Sequence, residues 1–241
     1  MTDFIERKAY LLAGPTASGK SAIAAELARE MGAWILSADS MLVYRGMDIG
    51  TAKPPPEEIE EFHMGGVDIV TPAEEFSSGA WLRAAAEWAA NVPENVPIVI
   101  VGGTGLYFSA LLRGLDRKWE KPPPEYPVMR IDRAVVRARI AVRLDEMFMR
   151  GLEDEKRRLH ELYPVWSRTA SLAIGYREGD DAAKILTRTC QLAKRQDTWF
   201  RHQATPLYVE PTTDAVRECW HQHGPWQVHF GCVAAKDRGV S

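Results

Sequence analysis

Residues 14–21 read Gly-Pro-Thr-Ala-Ser-Gly-Lys-Ser, a full match to the phosphate-loop pattern G-x-x-x-x-G-K-[ST]. The octet follows the apolar run Ala9-Tyr10-Leu11-Leu12-Ala13 and opens a helical stretch from Ala22 to Met31. Strand, loop and helix in that order are the setting the pattern requires. The glycines let the backbone turn tightly, so successive N–H groups point into one hollow. Those donors and the positive end of the helix favour a phosphate chain. The expected phosphate-binding residues are therefore Gly14, Pro15, Thr16, Ala17, Ser18, Gly19, Lys20 and Ser21. Lys20 would reach the outer phosphate, and the Ser21 hydroxyl would hold a magnesium ion.

The rest of the first half alternates strands with helices. Residues 33–38 form a second apolar run, and 97–101 a third that ends at Gly102-Gly103. Helical stretches span Trp81–Ala90 and Leu106–Leu112, between and after them. This order predicts an α/β fold: a P-loop NTPase-like parallel sheet flanked by helices. Ligands in such sheets bind beyond the carboxyl ends of the strands. Three stretches fall there: the octet, Asp39-Ser40, and Gly102-Gly103-Thr104-Gly105.

Composition shifts after Gly114. Lys121-Pro122-Pro123-Pro124 reads as a stiff connector. From Arg133 to Leu162 the chain reads as helix, broken at most at Gly151, and a further helix spans about Asp181 to His202. The expected organisation is a first part of the core over 1–115, a connector over 116–127, and a helical part over 128–205 that completes the catalytic domain. The tail, 206–241, shows no clear period.

Net charge is −3, but it is unevenly spread. Residues 1–112 hold 7 basic and 15 acidic side chains, whereas 113–201 hold 20 and 14. The middle segment can present a basic surface to an anionic partner; a solvated face of mixed charge fits the same numbers. Three cysteines, Cys190, Cys219 and Cys232, argue against a disulfide framework. Cys219, His221, His223 and Cys232 cluster, yet Cys-x-His-x-His is not a usual zinc spacing. No apolar run is long enough to span a bilayer, and the first eight residues lack the apolar stretch of a signal peptide. A soluble cytoplasmic protein is expected, without membrane contact and acting as a monomer.

Individual side chains suggest the chemistry. Asp39, directly off a strand end, could accept a proton from a nucleophile or hold magnesium through water. Thr104 could donate to a phosphate oxygen, or merely cap the next helix. The polar stretch Asp48 to Pro54 adds an acid, a hydroxyl and a cation, and by itself passes for a surface loop. Arg188, Gln191, Arg195 and Thr198 fall at helical spacings on one polar face, suited to a diphosphate or a nucleic-acid backbone.

Taken together these stretches resemble the tRNA dimethylallyltransferase (tRNA isopentenyltransferase, IPP transferase) family. The similar segments are residues 14–21; Ser37-Ala38-Asp39-Ser40; Val43 to Pro54; Val101 to Tyr107; Ala173-Ile174-Gly175-Tyr176-Arg177-Glu178; and Ala193 to Arg201. They stand in the family's order over about residues 8–203, and Arg139 to Leu159 is similar to the helix before the Gly-Tyr motif. The resemblance implies a magnesium-dependent prenyltransferase. Its donor would be dimethylallyl diphosphate, and its acceptor N6 of an adenosine next to the anticodon of tRNA. It further implies that Asp39 accepts the N6 proton and that Thr16, Thr104, Arg177 and Arg195 hold the diphosphate. Asp39, Ser40, Met41, Leu42, Thr104, Arg188, Gln191 and Arg195 would face the anticodon stem-loop.

The family carries a helical insertion after its Leu-Leu-x-Gly segment. Here Leu111-Leu112-Arg113-Gly114 runs through the prolines almost straight to Val128. A weaker grip on tRNA is therefore expected. Three alternatives stay open on the sequence: prenylation of free AMP, ADP or ATP; a P-loop small-molecule kinase; and RNA binding without catalysis.

Overall fold

The computed structural model describes residues 5–113 and 125–231. Five strands run parallel in the order β2-β3-β1-β4-β5: β1 (Ile5–Ala13), β2 (Trp34–Ser37), β3 (Ile98–Gly102), β4 (Glu125–Met129) and β5 (Thr205–Val209). A sixth, β6 (Trp226–Phe230), runs antiparallel to β1. Strand β1 is long because it serves two sets of neighbours. Ile5–Ala9 pair with β6, Ala9–Ala13 pair with β3, and Ala13 meets Val128 of β4. All five residues of β3 are buried, as expected of a parallel strand covered on both faces.

Eight helices are described: α1 (Lys20–Met31), α2 (Pro56–Glu61), α3 (Ser78–Ala90), α4 (Gly105–Arg113), α5 (Arg133–Met149), α6 (Leu152–Leu162), α7 (Ala182–Gln203) and α8 (Thr213–His223). Local chemistry sets their ends. Ser77 and Asp132 cap α3 and α5 through their side-chain oxygens. Gly151, at φ 92°, breaks the long helical stretch into α5 and α6, where the sequence signals the one possible break.

The sheet centre, with Leu11, Leu12, Ile35, Leu36, Val99 and Ile100, forms the core. The strand–helix alternation of the first half matches the sequence reading within a few residues. The region after 205 does not. Its β6 buries Val228 and Phe230 and pairs with β1 in the same sheet, and α8 buries Val216 and Trp220 against that sheet. Trp220 donates its indole N–H to Leu11 O at 2.8 Å, and Trp226 donates to Glu125 O at 2.6 Å. Residues 125–127, read as connector, begin β4 instead. Pro127 stands opposite Leu207 of β5, and on its other side β4 pairs with β1 only at Ala13↔Val128. The proline run 121–124 and Cys232 lie outside the described residues. Among the described residues no helix is long and apolar enough to cross a membrane.

Candidate active site

The phosphate loop leaves β1 and enters α1 at the carboxyl edge of the sheet. Ala17 at φ 60° and Gly19 at φ 93° bend it back on itself. Lys20 is buried and donates to Pro15 O at 3.1 Å. Burial pulls its pKa down to about 8; the Asp39 carboxylate opposes that shift and the Arg143 guanidinium adds to it. The loop is braced from two sides. On one, Gln196 of α7 accepts the Thr16 N–H at 2.8 Å and donates to Gly103 O at 3.1 Å. On the other, Arg139 of α5 donates to Ser18 O at 2.8 Å.

The ends of β2 and β3 are tied together at the same edge. Thr104 Oγ1 accepts the Ser40 N–H at 3.0 Å, and the Thr104 N–H bonds Ala38 O at 3.0 Å. Its hydroxyl proton is left to donate elsewhere. Asp39 Oδ1 accepts the Met41 N–H at 2.9 Å, which holds the carboxylate by one oxygen. Glycine is required at Gly105, because a Cβ there would lie 2.0 Å from the Trp199 ring. That close approach seats α7 over the 102–105 loop.

Two cavities open at this edge. The smaller, about 300 Å³, is lined by Gly19, Lys20, Ser21, Leu42 and Gly102, among others. The larger, about 540 Å³, has the apolar residues Met41, Leu106, Ile140, Leu144, Ile174 and Trp199 in its wall, with Ser40, Thr104, Arg177 and Arg195. Thr16, Asp39, Thr51, Ala52 and Arg143 line both. One hollow is built from phosphate-loop amides and a cation, the other is mainly apolar, and a carboxylate and an arginine stand at their common wall.

Arg177 reaches the larger cavity from the turn after residue 173. Its Nε donates to Glu178 Oε1 at 2.7 Å, and the fully buried Glu178 carboxylate also accepts the Gly175 N–H at 2.8 Å. Arg188 pairs with the same carboxylate at 3.4 Å and lines neither cavity; Gln191 is exposed and lines neither. Pro15 turns its carbonyl to Lys20, while Gly14 packs beneath the loop beside Met129. Lys53 is not a free cation. It is buried and donates to Tyr44 O, Asp48 and Asp68 at 2.6–2.7 Å, so the 48–54 stretch is an internally tied loop.

Four side chains at the site escaped the sequence reading as site residues: Arg139, Arg143, Glu178 and Gln196. The arginines are four apart on α5, on the face that buries Val136, Ile140 and Leu144. Charged residues in register with an apolar stripe were the available signal. Burial, the largest effect, lowers the Arg143 pKa, and Glu146 and Asp39 counter it. An arginine so placed stays a cation.

A phosphate-loop hollow and an apolar chamber that share a wall with a carboxylate suit a ligand with a charged head and an apolar tail. Comparison with known proteins narrows this. The family model for IPP transferase matches residues 42–127 and 119–203, and one for isopentenyl transferase matches 7–66. The tRNA dimethylallyltransferase of Phenylobacterium zucineum is 43% identical over 177 residues, 72% of this chain and 52% of the relative, so the chain spans about half of that protein's length. That of Thioalkalivibrio sulfidiphilus is 35% identical over 282 positions, 80% of this chain and 87% of the relative. The latter alignment is longer than this whole chain, so the relative holds internal residues that have no counterpart here. The crystal structure of the tRNA isopentenylpyrophosphate transferase from Bacillus halodurans superposes with a TM-score of 0.74 at 26% identity, covering 90% of this chain and 94% of that one. The chain belongs to the tRNA isopentenyltransferase (IPP transferase) family of prenyltransferases.

Proposed function

We propose that the protein transfers a dimethylallyl group from dimethylallyl diphosphate to N6 of an adenosine beside the tRNA anticodon, releasing diphosphate. The observation that carries this reading is the shared wall: Thr16, Asp39 and Arg143 line both the phosphate hollow and the apolar cavity. The donor's two phosphates fit the hollow and its hydrocarbon the cavity, which sets the scissile C–O bond beside the carboxylate.

Negative charge grows on the leaving diphosphate as that bond breaks. Lys20, Arg143, the loop amides and Thr104 stabilise it, and Arg177 and Arg195 approach from the cavity side. Arg177 is held for this by Glu178. Asp39 accepts the N6 proton with its free oxygen as the C–N bond forms. An aromatic amine is a weak nucleophile, so the geometry of the apolar cavity contributes more than basicity. The adenine must leave the anticodon stack to enter.

Magnesium fits the donor set. Ser21 and Asp39 line the same hollow, and no larger cluster of His, Cys, Asp or Glu that could hold a metal exists among the described residues. A hydroxyl, waters and the donor's phosphates are ligands this ion favours, which leaves the free oxygen of Asp39 to the proton step. When bound it would neutralise leaving-group charge. A cytoplasmic monomer is the working form we propose.

Free adenine nucleotide as acceptor is the second reading. The match of residues 7–66 to the isopentenyl transferase model and the internal residues lacking relative to a tRNA enzyme favour it. Mass analysis of tRNA and of AMP after incubation with protein, magnesium and dimethylallyl diphosphate decides. Prenylated adenosine in tRNA is expected; modified AMP with unmodified tRNA would replace the first reading by the second. Asp39→Asn should abolish transfer while diphosphate still binds, and wild-type turnover in that variant would remove Asp39 from the proton step.

A further inference from the structure

The loop that carries Gly50, Thr51 and Ala52 to the cavities is irregular, yet it is anchored by one buried side chain from another element. Glu155, in the first turn of α6, is 3% exposed. Its carboxylate accepts the N–H groups of Asp48 at 3.1 Å, Ile49 at 2.8 Å and Gly50 at 3.1 Å. The Tyr176 hydroxyl donates to the same carboxylate at 2.6 Å. The Tyr176 ring lies so close to Gly50 that a Cβ there would sit 2.6 Å from it. Tyr176 is flanked by Gly175 and Arg177, which line the larger cavity. Burial first, and the Glu155 charge second, push the Tyr176 phenol well above its ordinary pKa, so it remains a donor.

We propose that Glu155 and Tyr176 are positioning residues: their hydrogen bond locks the 48–52 loop to the 173–177 turn and so sets how Arg177 faces Thr51 and Ala52 across the cavity. Neither residue is assigned a part in the chemistry above, and neither lines either of the two cavities described. The lock acts through its neighbours. One carboxylate collects three consecutive amides on one side and the phenol on the other, so the two walls move as a unit. Charge-assisted bonds of this kind are directional, which fixes spacing as well as adding strength. A small displacement of Arg177 relative to the donor would reduce turnover far more than it weakens binding. The role rests on the transferase reading for its kinetic consequence, but not for the lock itself.

The test uses Tyr176→Phe, which keeps the ring against Gly50 and deletes only the hydroxyl, with Glu155→Gln alongside. For Tyr176→Phe we expect the thermal midpoint to fall by only a few degrees, the loss of one charge-assisted bond, and inorganic diphosphate, followed by calorimetry, to bind within about twofold of wild type. The kcat for prenyl transfer should fall roughly fivefold or more, and further in Glu155→Gln. Amide exchange at residues 48–50 should quicken in both. Wild-type kcat in Tyr176→Phe, or a loss of diphosphate affinity equal to the loss in kcat, would overturn the proposal. Should wild-type protein transfer no prenyl group, the transferase reading fails separately. Exchange at 48–50 then decides on its own: faster in Tyr176→Phe supports the lock, and unchanged refutes it.

Discussion

Gln196 accepts the N–H of Thr16 at 2.8 Å from 180 residues further along the chain, and its amide nitrogen donates to Gly103 at 3.1 Å. One side chain on α7 thus sets the distance between the phosphate loop and the loop after β3. Gln196→Ala should relax both. A half-buried hydrogen bond of this kind contributes about 1 kcal/mol, so the loss of stability is modest. The donor KM should rise several-fold, and steady-state kinetics beside a thermal melt separate the two effects.

Lys20 gives the site a defined pH response. With its pKa lowered to about 8, the side chain is a full cation below that pH and loses charge above it. A bound diphosphate favours the protonated form, so affinity is level below pH 8 and falls by up to about tenfold per unit above it. Calorimetry across pH 6.5–9.5 should show this fall together with proton uptake on binding at the alkaline end. A flat profile would mean that Lys20 stays charged throughout.

Gly105 is a steric requirement. An added methyl would meet the Trp199 ring at 2.0 Å, so Gly105→Ala must push α7 away from the 102–105 loop. Overpacking of this kind costs about 1–3 kcal/mol. We expect a lowered thermal midpoint and a loss of transfer, with part of the stability restored by Trp199→Leu in the same chain.

On the functional reading, the basic segment 113–201 meets tRNA without the internal residues that a longer relative has. Binding to an anticodon stem-loop should therefore be weak and strongly salt-dependent, the signature of phosphate contacts. Filter binding between 50 and 200 mM salt, roughly the range over which such contacts weaken most visibly, would show affinity falling with a constant slope on a logarithmic plot. A tight complex indifferent to salt would show that base contacts dominate.

The legible parts of the molecule were those whose function requires a local pattern. A phosphate loop needs its glycines, lysine and serine in eight consecutive residues, and the parallel strands around it need unbroken apolar runs, so β1, β2, β3 and α1 could be read to within a few residues. Asp39 and Thr104 were visible because strand ends in such sheets face the ligand. The last two strands were not. β5 and β6 are five residues each, and their identity as strands comes from pairing with β4 and β1, far away in sequence.

The order of residues alone determined that a turn suited to grip a phosphate chain would stand at the first strand's end and an acid at the next. Only the tertiary structure decided which distant groups brace that grip: Arg139 and Gln196 on the loop, Glu178 on Arg177, and Lys53 as an internal tie rather than a ligand-facing cation. The physical reason is that a backbone turn is set by its own few torsions, whereas the partner of a buried charge is whichever donor or acceptor the packing of separate elements brings within about 3 Å.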